Sequence, residues 1–121
     1  MHSMKIGLSA DQIKPLVAGR GARMATDMIT VHGKRAGYAY REAPRWPQLR
    51  NATLDSGWVF LSGTESQEYL DNPDNLAIYD VNTIANYDQD IIPLLDAPVG
   101  SAFTRDSSSF KFVPVAAPSK S

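Results

Sequence analysis

Gly57-Trp58-Val59-Phe60-Leu61 is the stretch on which the fold turns. Four large apolar residues follow one another with no polar position between them. That is neither the 3.6-residue period of a surface helix nor the alternation of a half-buried strand, and a run this short reads as a strand covered on both faces. Trp58 belongs to the core on this reading. Upstream, Ala22 to Val31 reads as a strand, His32-Gly33 supplies turn chemistry, and Arg35 to Glu42 reads as the returning strand of a hairpin. Its alternation puts Tyr38, Tyr40 and Glu42 on one face and Gly37, Ala39 and Arg41 on the other. Ala43 to Ser56 is a loop with two prolines and with Arg45 and Arg50 flanking Trp46.

Downstream, Thr64-Glu65-Ser66-Gln67 has the form of a capping box, opening a short helix that Asn72-Pro73 stops. Leu76 to Val81 reads as a strand, and Thr83 to Leu95 as helix in pieces, broken at Pro93. Val99 to Thr104 and Phe110 to Val115 form a closing hairpin. Ahead of everything, Ser9-Ala10-Asp11-Gln12 is a second capping box, and Ile13, Leu16 and Val17 have the spacing of a short helix ended by Gly19 and Gly21. The sum is α+β: one domain at 22–115, a small antiparallel sheet with short helices, preceded by an extension at 1–21 and followed by a tail at 116–121 expected to be disordered.

The 121 residues are 43% apolar and 21% charged, enough for one domain with a real core. No apolar run approaches the ~20 residues of a membrane-spanning helix, so no membrane partner is expected. The N-terminus lacks the features of a signal peptide, so the expected location is the cytoplasm. There is no cysteine, which excludes disulfides, thiol chemistry and cysteine-based zinc sites. Calcium spacing fails, since the third position from Asp71 is Pro73 and the fifth from Asp88 is Ile92. Gly19-Arg20-Gly21 is no phosphate loop, and His32 falls in the expected turn rather than beside a nucleophile. No cofactor is expected and no enzyme. Lys34, Arg35, Arg41, Arg45 and Arg50 with Trp46 have the mixture of a nucleic-acid site, but the sequence pI of about 6.0 argues against one. These bases read as the solvent side of the first hairpin.

Charge is unevenly placed. Residues 1–60 hold nine Lys/Arg against four Asp/Glu, and residues 61–121 hold three against nine. Leu61 to Gly100 has no base at all and carries eight acids. Such a segment creates a directed field unless the basic half folds over it.

Five blocks then acquire a common meaning: Gly37-Tyr38-Ala39-Tyr40-Arg41-Glu42, Asp55 to Gly63, Glu68 to Asn75, Ile78 to Asp88, and Ile92 to Phe103. In this order they resemble the immunity-protein-33-like family, found among bacterial polymorphic-toxin immunity proteins. The resemblance covers about Arg23 to Arg105. It implies a small α+β protein that binds and silences a cognate toxin without catalysis. The Arg45 to Leu54 segment is longer than the resemblance leads one to expect. Many toxins are basic where they meet nucleic acid or other polyanions, so an acidic segment suits steered capture. The expected partner-binding residues are Asp71, Asp74, Asp80, Asp88 and Asp90, with Tyr69 and Tyr87 as anchors. The alternative is a stand-alone regulatory or small-ligand-binding domain of the same fold.

Overall fold

Every position of the strand Asp55–Leu61 is buried, as its apolar run demands. The computed structural model describes residues 12–17, 19–44 and 55–117. The elements are β1 (Ala22–Thr26), α1 (Asp27–Thr30), β2 (Tyr38–Arg41), β3 (Asp55–Leu61), α2 (Gln67–Asp71), β4 (Leu76–Asp80), α3 (Val81–Tyr87), β5 (Ala102–Arg105) and β6 (Phe112–Val115). Short 3-10 segments at Pro73–Asn75 and Gln89–Leu94 complete them. The strands form one sheet in the order β4-β1-β3-β2-β5-β6. All neighbours are antiparallel except β1 and β3, which are parallel. The α+β expectation holds.

The first hairpin does not form. Thr26 ends β1, because its hydroxyl accepts from the Met28 N–H at 3.2 Å and caps α1. The His32 and Lys34 N–H groups then donate back to Asp27 and Met28 carbonyls, closing that turn instead of a strand connection. β2 therefore crosses to the far side of β3, and β3 lies between the two strands expected to pair. The reason is burial: β3 is apolar on both sides and takes the centre of the sheet, where strands are covered most completely.

Two helix starts also shift. α2 begins after Ser66, whose hydroxyl accepts from the Tyr69 N–H at 3.0 Å, not after Thr64. Glu65 instead folds back on the preceding loop, accepting from Ser62 N–H and hydroxyl at 2.8 Å each and from Gly63 N–H at 3.0 Å. Residues 13–17 form no helix, and the capping box ahead of them falls mostly outside the described residues. They lie as a strap on α3. Asn82 accepts from the Leu16 and Val17 N–H groups, Asn86 accepts from that of Lys14, and both amides donate to the Lys14 carbonyl at 2.9 Å.

Opposed residues in paired strands share a face. Ala25, Ala39, Phe60 and Phe103 stand on one face by register. There they pack with Trp58 and with Ile29, Val81, Ile84, Ala85, Ile91, Leu94 and Leu95 from the helical segments. This is the core. The other face carries Ile78, Met24, Val59, Leu61, Tyr38, Tyr40, Val113 and Val115, again by register. Ile78, Val113 and Val115 on it are exposed.

Candidate functional site

α2 stands at the margin of the open face and leaves a cleft of about 520 Å³ beside it. Tyr38 and Tyr40 of β2, Val59 and Leu61 of β3, Met24 of β1, and Leu70 and Leu76 wall it, with Gln67, Arg23 and Glu42 as its polar members. The alternation expected for β2 is what brings Tyr38, Tyr40 and Glu42 to this one place. The two tyrosine rings are 5.5 Å apart. Burial pushes the Tyr38 hydroxyl above its ordinary value of 10.0.

The inner end of the cleft holds a charged triad. Arg23, with its side chain only 4% exposed, donates from Nη1 to both Asp55 oxygens at 2.9 and 3.0 Å and from Nη2 to Glu42. Asp55 is wholly buried there and also accepts from the Gly57 N–H at 2.9 Å. The register slip between Ala22/Asp55 and Met24/Val59 makes room for this arrangement. Gly57, at φ +79°, sits in the slip, and a Cβ there would lie 2.1 Å from the Glu42 carbonyl oxygen. Only glycine fits that conformation and that approach. One cation faces two carboxylates, so the triad carries an excess negative charge with restricted access to water.

The acids of the base-free segment separate in space. Asp88 is 7% exposed; its carboxylate accepts from Arg105 Nη2 at 2.7 Å, from the Ala36 N–H at 3.0 Å and from the Asp90 N–H at 3.1 Å. It faces the interior, so it is not a rim charge. Asp90 is exposed and shares Arg105 at 2.9 Å, with Arg35 at 3.8 Å. Asp96 pairs with Arg20. Asp80 caps α3 through the Asn82 N–H, and Asp71 accepts from Gln67 at 2.8 Å. Glu68, Asp71, Asp74 and Asp80 are exposed and make no ion pair among the described residues. They belong to α2, the turn after it and β4, together with half-buried Tyr69. Tyr87 packs against the core from its edge. The expected set therefore divides: Tyr69, Asp71, Asp74 and Asp80 on the α2–β4 side, and Tyr87, Asp88 and Asp90 around Arg105.

Among the bases, Arg41 is not a solvent group. It donates to the Ser56 carbonyl at 3.0 Å and the Ala97 carbonyl at 2.8 Å, with its guanidinium over the Trp58 ring. Lys34 and Arg35 are exposed. Arg45, Trp46 and Arg50 lie outside the described residues. The triad was not foreseen from the sequence. Its only trace there is the placement of Arg23, Glu42 and Asp55, acids and a base beside strands that otherwise read as apolar. Among the described residues no group of His, Asp and Glu could hold a metal ion, and no helix is long and apolar enough to cross a membrane.

The family model for the immunity protein Imm33 domain matches residues 23–116. That span begins at the triad arginine, runs through all six strands and excludes the strap. No curated protein and no solved structure matches the chain.

Proposed function

Since the chain belongs to the immunity protein Imm33 domain family, by a match over residues 23–116, we propose that it binds a cognate bacterial toxin and silences it by covering part of its surface. The family match carries this reading. The toxin belongs to a polymorphic toxin system, and the immunity protein acts in the cytoplasm without catalysis of its own. Such a task needs a complementary surface and a rigid scaffold rather than a strained nucleophile. Tyr69, Asp71, Asp74 and Asp80 form the polar part of the interface, opposite a basic toxin surface. The absence of ion pairs on these acids favours that side of the molecule over the Arg105 side, where the acids are already matched.

Co-expression with the toxin encoded beside this gene tests the reading. Cells making both proteins should survive, and the two should co-purify as a complex. Equal killing with and without this protein sinks it.

A further inference from the structure

The cleft between α2 and the open face has a composition that specifies its occupant. We infer that it receives a lysine or arginine side chain projecting from the toxin, with the aliphatic stem along the cleft walls and the charged head at Glu42. The identity of the partner rests on the function proposed above; the preference of the cleft for a cation does not.

Three observations support the assignment. Apolar walls with a charge at the inner end match a side chain that is apolar along its stem and charged at its tip. Tyr38 and Tyr40 offer ring faces for an approaching cation. Most specifically, the triad at the inner end is unbalanced. Arg23 is shared by Asp55 and Glu42, so two carboxylates draw on one guanidinium in surroundings that desolvate them. A second cation at Glu42 restores the balance, whereas an anion meets repulsion and a purely apolar group leaves the charge uncompensated. The rim agrees in sign. Gln67, which lines the cleft, donates to Asp71 at 2.8 Å, and Glu68 is exposed on the same short helix.

Two measurements test it. The first needs no toxin: the full-length protein is titrated with N-acetyl-arginine amide, N-acetyl-norleucine amide and N-acetyl-glutamate amide while its NMR resonances are followed. The arginine derivative should shift Tyr38, Tyr40, Leu70 and Glu42 resonances well beyond the other two. Equal shifts with the norleucine derivative, or none in the cleft, overturn the cation assignment. The second measures affinity for the purified toxin encoded beside this gene. Gln67→Lys, at an exposed position, should weaken binding about tenfold or more with an unchanged melting temperature. Glu42→Gln should weaken it similarly, and Lys34→Glu should not. Wild-type affinity in both cleft variants overturns the inference while leaving toxin binding intact. Failure of the unaltered protein to bind the toxin, with the arginine titration still saturating in the cleft, overturns the immunity reading instead. A concentration-dependent dimer abolished by Gln67→Lys would give the cleft to a second copy of the chain and also overturn the inference.

Discussion

Trp58 is 2% exposed, stacked on Phe60 with ring centroids 5.8 Å apart and capped by the Arg41 guanidinium. Its Nε1–H is buried without a hydrogen-bond partner, so the ring contributes by volume and not by its polar atom. Trp58→Ala should lower stability by about 3–5 kcal/mol, the cost of emptying a large aromatic site. Trp58→Phe should cost clearly less, because it removes a donor whose desolvation is worth about 1–3 kcal/mol. Urea unfolding of the three proteins compares them, and equal losses for both variants would show that the indole nitrogen does find a partner. Phe110 is the opposite case. It is 64% exposed and holds φ 60°, a conformation that costs a residue with a Cβ about 1–2 kcal/mol. The turn imposes it. The Phe110 N–H donates to the Asp106 carbonyl at 2.8 Å, and the Asp106 carboxylate accepts from Ser109 and Ser108. Those hydrogen bonds, chiefly from Ser109, hold the Asp106 carboxyl below its ordinary value of 3.8. Phe110→Gly should therefore raise the melting temperature, and a lower one would mean that the ring packs more than its exposure implies.

At the scale of elements, the blocks that carry the family resemblance turn out to be joints. Asp55-Ser56-Gly57-Trp58 holds Arg23 and the register slip. In Asp71-Asn72-Pro73-Asp74-Asn75, Asn72 caps the turn through the Asp74 N–H and Asn75 donates to the Tyr69 carbonyl. In Ile78 to Asp88, Tyr79 meets Thr30 at 3.0 Å, Asp80 caps α3 and Asp88 receives Arg105. Asp88→Ala should cost about 3–5 kcal/mol, since it strands the buried Arg105 guanidinium; a change near zero in chemical denaturation would put that charge back in water. The loop between β3 and α2 has a pH signature. Burial pushes the Glu65 carboxyl up, but hydrogen bonds from the Ser62 N–H and hydroxyl and the Gly63 N–H outweigh it, and the net shift is downward from 4.5. A carboxylate lowered on folding adds stability above its unfolded value and loses it as pH falls through its folded one. Glu65→Gln should thus melt below wild type near neutrality, and the gap should close as pH drops below 4.5. A gap that stays constant with pH would refute the charged role.

For the whole molecule, the sum of −1 conceals two sides. Glu68, Asp71, Asp74 and Asp80 lie around α2 and β4, while Lys34 and Arg35 stand with the Arg105 network. Rim charges act mainly on the association rate and its salt dependence. Joint reversal of Asp71→Lys and Asp74→Lys should slow toxin association at low salt and much less at high salt. Joint Lys34→Glu and Arg35→Glu should leave it unchanged or slightly faster. Stopped-flow mixing with the toxin reads both, and the reverse pattern would place the interface on the Arg105 side.

Local chemistry alone settled much of this protein. The doubly apolar β3, the closing hairpin, the strand Leu76–Asp80 and the helix broken before Pro93 are legible because each depends on residues near one another in the chain. So is the shared face of Tyr38, Tyr40 and Glu42, which follows from strand alternation. Tertiary structure alone decided which strands pair, because two candidate strands cannot reveal that a third, more apolar one will be inserted between them. It also decided which charges are spent. Arg105 reaches Asp88 across 17 positions, Asp55 reaches Arg23 across 32, and the Lys14 strap meets Asn86 across 72. A count of acids along the chain is blind to partners that distant, and only folding sorts a run of like charges into those that hold the scaffold and those left facing outward.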